Sequence, residues 1–336
     1  MIRYGIIGFG LHAVRRLMPG FTIARNSCVT ALSRRDPQQA QDCAAEYKIP
    51  HAFTSPADLC RSPEVDAVFV ATPNCSHLND VLLAIDAGKP VLCEKPMGVS
   101  AAECRQMVQA ARRADVLLGV AHVFRFERST AALRERVIAG QVGKPVFVRS
   151  EFSYPGRTHP RKWLTNAKIA GGGPIADVGV HCIDVLRYIL GDEIVRVAAN
   201  AISDEESGDV EASAVLSLEF ACGTLGSILV STRSEYRTPL EIVGETGSLR
   251  ADDAFSVERP VTIEFRQGGT IVHREILSNV EAYSRQVDAF SAAIEGDAKF
   301  PVSGEEGWQN QEVLDAAYCS LTNGRAEAVA RAKKQC

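Results

Sequence analysis

The chain has 336 residues, 46% of them hydrophobic, and a formal net charge of −4. That length allows two domains with separate cores, and so small a negative charge gives no bulk attraction to nucleic acid or to an anionic membrane. Ten cysteines are scattered with no Cys-x-x-Cys pair and no zinc-finger spacing, so they read as reduced, mostly buried thiols, and no metal is expected.

The N-terminus enters strand-like sequence at once, without a signal-peptide pattern, and no apolar run is read as long enough for a membrane span. A cytoplasmic protein with no membrane partner is the expectation. Residues 3–8 end in Gly8-Phe9-Gly10-Leu11-His12-Ala13, a Gly-x-Gly-x-x-Ala pattern between a strand and a helix. There the glycines can bring backbone N–H groups close to a pyrophosphate at the helix's positive end. A glycine turn without a ligand is the plainer alternative. The next strand, 28–32, runs into Ser33-Arg34-Arg35-Asp36. An acid usually stands there to take a ribose 2′-OH; a hydroxyl and two guanidinium groups suit a 2′-phosphate instead. NADP is therefore favoured over NAD. Asp36 and Pro37 also read as the N-cap and first position of a helix.

A strand at 67–71 leads to Thr72, Asn74 and His77, candidate cofactor contacts at its carboxyl end, although His77 equally suits a helix cap. Gly88 caps the following helix. Next comes Val91-Leu92-Cys93-Glu94-Lys95-Pro96, where apolar strand residues give way to an acid, an amine and a proline at the edge where α/β sheets bind ligands. Ser100 and Glu103 form a capping box, and 116–120 is a further buried strand. Strands alternating with helices imply a doubly wound parallel sheet over residues 1–123.

The rhythm then changes. A helix at 131–139 precedes strand-like segments at 145–152, 209–220, 224–232, 240–244, 257–266 and 270–277, with turns at Cys222-Gly223 and Gly268-Gly269. A second domain over 124–336, with a largely antiparallel sheet covered by helices on one face, is the reading. Within it, Gly171-Gly172-Gly173 leads into a helix carrying Asp177 and His181, four residues apart. A carboxylate beside an imidazole makes a workable general base, but an ordinary i,i+4 pair has the same spacing, and a metal site including Asp184 has little support. Arg125, Tyr154, Arg157, His159, Arg161, Lys162 and Trp163 crowd the segments leading to the glycines. Arg125, Tyr154, Arg161 and Trp163 are taken as substrate contacts, with Tyr236 and Tyr283 on weaker grounds; for most of this group a solvated basic loop is the alternative.

Together, Gly8-x-Gly10-x-x-Ala13, Glu94-Lys95-Pro96 and Gly171-Gly172-Gly173 with Asp177-x-x-x-His181 resemble the Gfo/Idh/MocA oxidoreductases, the glucose-fructose oxidoreductase and inositol dehydrogenase family. The resemblance covers nearly the whole chain. It implies a Rossmann domain plus an α/β domain whose open sheet supports a homodimer or homotetramer, and an NAD(P)-dependent reaction on a sugar, cyclitol or related polyol. It assigns Lys95 to catalysis with Asp177 and His181, gives these three substrate contacts as well, and suggests a cis Lys95–Pro96 bond. Two other functions compete: a glycosidase that uses held NAD for transient oxidation and elimination, and a nicotinamide-sensing regulator without chemistry.

Overall fold

A computed structural model describes residues 1–331. The chain forms two compact units, one of Met1–His122 with Tyr283–Trp308, the other of Val123–Ala282 with the described residues from Gln309 on. A single cut after residue 123 therefore misses the return of 283–308 to the first unit. That return is held by long-range contacts: the Tyr4 hydroxyl lies 2.9 Å from Ser291 Oγ, and a side chain at Gly119 would strike the rings of Phe290 and Phe300.

The first unit holds a parallel sheet of six strands, β1 (Ile2–Ile7), β2 (Ser27–Ser33), β3 (His51–Phe53), β4 (Ala67–Val70), β5 (Val91–Cys93) and β6 (Leu118–Val120), in the order β3-β2-β1-β4-β5-β6. The reversal of order between β1 and β4 is the switch point at which such sheets bind dinucleotides. Apolar residues fill β4 and β5, as strands covered on both faces require. Local signals set the helix ends. Asp36 accepts from Gln39 N at 2.8 Å with Pro37 next in line, and Gly88 takes a positive φ after the helix His77–Asp86. Ser100 accepts from Glu103 N, while Glu103 turns back to Val99 N.

The second unit is built on nine strands: β7 (Pro145–Ser153), β8 (Ile194–Ile202), β9 (Ser213–Phe220), β10 (Leu225–Ser231), β11 (Leu240–Gly244), β12 (Ser248–Ala251), β13 (Val261–Gln267), β14 (Thr270–Leu277) and β15 (Glu327–Ala328). Their order is β14-β13-β12-β11-β7-β10-β9-β8-β15, antiparallel except where β10 runs parallel to β7. Gly268 and Gly269 both take positive φ and close the two-residue β13–β14 turn. Helices Arg128–Ile138 and Val180–Leu190 pack on one another, and they contact β13 and β7 respectively. Val148, Ile228, Leu216 and Ile242 are buried, whereas Phe147, Leu225, Leu229 and Val215 remain between 43% and 49% exposed. One correction concerns the helical stretch Ala167–Leu190. It is long and apolar enough to cross a membrane, but 89% of its apolar window is buried in the fold, as in a core helix.

Candidate functional site

Gly8 has φ +83°, and a Cβ there would lie 2.7 Å from Thr72 N, so both backbone and packing demand glycine. Gly10 is different. A Cβ on it would meet nothing closer than the Gly8 carbonyl at 3.8 Å, so the protein's own packing does not require its absence. Space left open at a helix start is what a phosphate group needs, and the loop fits a dinucleotide on that count. The division of labour departs from the simplest expectation. Gly8 N and Phe9 N both donate to Ser33 O, Gly10 N turns back to Gly8 O, and Phe9 is buried against Tyr47. The first-turn N–H groups of residues 11–13 precede the first intrahelical bond, from Val14 N to Gly10 O, and are the donors at this helix start that could face a phosphate. Ala13–Leu17 form a π turn, after which the helix continues.

Ser33 is 3% exposed, and its carbonyl anchors the loop. Its hydroxyl is thus in the interior. Arg34 is half-buried and donates to Gln39 and Cys43, leaving the exposed Arg35 with it as the cations at this strand end.

At the end of β5, His12 Nε2 lies 2.8 Å from Glu94 Oε1, and Glu94 Oε2 accepts from Lys95 N at 3.3 Å. Burial drives the Glu94 carboxyl up, but the charge and hydrogen bond of His12, together with the charge and backbone N–H of Lys95, outweigh it and hold the group below its ordinary value. The glycine loop and the lysine turn are thereby joined by side chains. Lys95 is half-buried, and its bond to Pro96 is cis. His77 corrects an expectation. It is wholly buried, with Nδ1 3.0 Å from Pro96 O and Nε2 2.9 Å from Thr72 O. Burial lowers its pKa, and a neutral ring can donate to one of those carbonyls at a time. It braces the two strand ends from inside and has no surface for a nicotinamide ribose. Thr72 Oγ1 is likewise engaged, donating to Asp80 at 2.8 Å, and Asn74 is buried.

In the second unit the glycine run is clasped from across the fold. Glu211 accepts from Gly173 N at 3.0 Å, Ile175 N at 2.9 Å and the Tyr318 hydroxyl at 3.1 Å. A Cβ at Gly172 would fall 1.7 Å from Tyr318 Oη, and one at Gly173 2.3 Å from Glu211 O. These contacts fix the start of the helix that carries Asp177 and His181. Ile175–Gly179 is a π turn, so the expected α-helical i,i+4 register of Asp177 and His181 is widened. Asp177 accepts from the Tyr154 hydroxyl at 2.7 Å. Burial, then Asp177, raise the Tyr154 pKa strongly, so the phenol stays a donor. The His181 ring packs edge-on to Phe124 at 4.6 Å and stacks near Phe152 at 6.0 Å. Glu211 and Tyr318 had not been singled out from sequence. The signal available was an acid set between Val210 and Ala212, both buried.

The basic segment separates into parts. Tyr154, Arg157, His159, Arg161 and Lys162 line a cleft of about 160 Å³ that also reaches Asp177 and Glu211. Trp163 is half-buried with the Arg161 guanidinium 5.8 Å from its ring. Arg125 was expected to touch substrate, but it is buried and bidentate to Asp184 at 2.8 and 2.6 Å, with Asn310 on the same carboxylate. It is a core ion pair. That pairing also takes Asp184 away from any metal, and no group of three or more His, Cys, Asp or Glu among the described residues is arranged to hold one. Tyr236 donates to Phe255 O, and Tyr283 lies edge-on to His12 at 6.3 Å.

The strand order, the loop at the switch point and the lysine turn joined to it are those of a nicotinamide-dependent oxidoreductase. Residues 2–122 match the family described as "Oxidoreductase family, NAD-binding Rossmann fold" and residues 130–250 the "GFO/IDH/MocA C-terminal domain". The chain is 31% identical over 339 residues to 1,5-anhydro-D-fructose reductase of Ensifer adhaerens, covering 97% of this chain and 98% of that protein. It is 29% identical to myo-inositol 2-dehydrogenase of Thermotoga maritima, over 97% and 98% of the two chains. The solved aldose-aldose oxidoreductase of Caulobacter crescentus, complexed with glycerol, superposes with a TM-score of 0.90 at 27% identity, over 97% of this chain and 99% of that one. The chain belongs to the Gfo/Idh/MocA family and is an NAD(P)-dependent oxidoreductase.

Proposed function

We propose that the protein moves a hydride between NADP(H) and a CH–OH carbon of a sugar, cyclitol or related polyol or keto-sugar. The observation that carries this reading is the His12–Glu94 contact at 2.8 Å, which ties the dinucleotide loop to the turn bearing Lys95. Relatives named for anhydrofructose, inositol and xylose support the substrate class. Arg34 and Arg35, with no acid at the end of β2, support NADP.

When bound, the nicotinamide supplies or accepts the hydride. Residues 11–13 would hold the pyrophosphate, and Arg34 and Arg35 would meet a 2′-phosphate. His181 would take the substrate hydroxyl proton, with Asp177 and Tyr154 setting the charge beside it, and Lys95 would steady developing negative charge on the substrate. Reduction reverses these steps. We infer also that the open face of the second sheet pairs with another copy of the chain. Leu225 lies beside Phe147 and Leu229 beside Val215 in the strand register, an exposed apolar stripe on that face. Residence in the cytoplasm belongs to the same proposal.

A panel of aldoses, inositols and keto-sugars assayed with NADP and NAD separately tests the reading through the absorbance of the reduced nicotinamide. Turnover with NADP and at least one polyol is expected. Turnover with NAD alone overturns the cofactor assignment, and product release without net cofactor reduction overturns the hydride-transfer assignment in favour of elimination chemistry.

A further inference from the structure

The cleft beside Asp177 carries an uneven balance of charge. Its buried carboxylates are each supplied with donors, Asp177 by Tyr154 at 2.7 Å and Glu211 by two backbone N–H groups and Tyr318. Two of its cations are also matched. Arg157 meets Glu206 at 2.7 Å, and Arg233 grips Asp204 through two nitrogens at 2.5 and 2.7 Å. Arg161 and Lys162 line the same cleft and make no ion pair among the described residues. Arg161 lies over the Trp163 ring, an aromatic face that leaves its planar donor fork available to a ligand.

We propose that Arg161 and Lys162 form a subsite for an anionic substituent, carboxylate or phosphate, on the substrate. The inference rests on the reading that the substrate is a sugar or polyol and narrows it to sugar acids or sugar phosphates. A planar guanidinium accepts either oxyanion through paired hydrogen bonds, while the ammonium adds a point charge. A neutral sugar in this cleft would leave both cations dependent on water.

The test is equilibrium titration of the full-length chain, read by tryptophan fluorescence, with D-glucose, D-glucuronate and D-glucose 6-phosphate as probes. Trp163 is one of only two tryptophans and sits against Arg161, so an anion held there alters its emission; Trp163→Phe is the control for the signal. At least one anion should bind about tenfold or more tightly than glucose, the scale of one charge-assisted hydrogen bond. That preference should shrink with added salt and vanish in the R161Q/K162Q double variant. Whichever anion binds more tightly identifies carboxylate or phosphate as the source. Glucose binding as tightly as both anions, an anion preference surviving in R161Q/K162Q, or no binding by any probe overturns the subsite. Turnover of neutral polyols without an anion preference would sink this inference alone. Anion binding without turnover of any CH–OH substrate would instead sink the reading on which it rests.

Discussion

Removing the Glu211 carboxylate should unseat the start of the helix that carries Asp177 and His181. Three donors converge on this buried group, the N–H groups of Gly173 and Ile175 and the hydroxyl of Tyr318. Each buried donor left without an acceptor costs about 1–3 kcal/mol. Three would cost about 3–9 kcal/mol if nothing relaxed, and entry of water into the adjoining cleft brings the expectation for Glu211→Ala to about 3–5 kcal/mol. That is a large part of the roughly 5–15 kcal/mol that holds a domain folded. Glu211→Gln keeps an oxygen for Ile175 and Tyr318 but turns an N–H toward Gly173 N, so about one bond is lost, roughly 1–2 kcal/mol. Urea unfolding followed by circular dichroism measures both. The order wild type, Gln, Ala in falling stability is expected, with activity declining in the same order. An Ala variant within about 0.5 kcal/mol of wild type, the scale of an ordinary surface change, would refute the clasp.

Gly10→Ala should leave the melting temperature unchanged and weaken dinucleotide binding about tenfold or more in fluorescence titration, because its Cβ fills space that only a ligand would occupy. Gly8→Ala should instead destabilise the fold by about 2 kcal/mol or more, through its positive φ and a backbone clash; equal behaviour of the two variants would contradict the separation of roles. Glu127 is buried, and that burial raises its pKa well above the ordinary value, with hydrogen bonds from Thr130 and Ser129 pulling the other way. A raised folded value means this group's contribution to stability is full below the unfolded pKa of about 4.3 and is lost as pH rises through the folded value. Melting temperature should therefore fall less between about pH 5 and pH 8 in Glu127→Gln than in wild type, and parallel curves would show that Glu127 carries no such linkage.

What was legible in the sequence was chemistry acting over a few residues. Gly8, the Asp36-Pro37 cap, Gly88 and the Gly268-Gly269 hairpin each determine their own backbone, and each stands where its residue type predicts. The doubly wound order follows from strands separated by helices, and the three separated motifs were enough to resemble the family to which the chain belongs. Strands β3, β8, β12 and β15 were not read, and neither was the return of 283–308, whose contacts, such as Tyr4 with Ser291, join residues far apart in sequence and leave no local mark. The misread side chains share that cause. Arg125 looks like a ligand until Asp184 meets it from 59 residues away, and His77 looks exposed until Pro96 and Thr72 enclose it. Asp177 gains a neighbour the sequence does not mark, the Tyr154 hydroxyl, which reaches it from the end of β7. Buried polar groups take whatever partner the tertiary fold delivers, and that partner is often distant in the chain.

The claim that Lys95 is the catalytic amine of a hydride transfer is tested most directly by Lys95→Ala, with NADP affinity measured beside turnover. The account predicts a fall in kcat of about a hundredfold or more with NADP binding close to wild type. Turnover near the wild-type rate would contradict it.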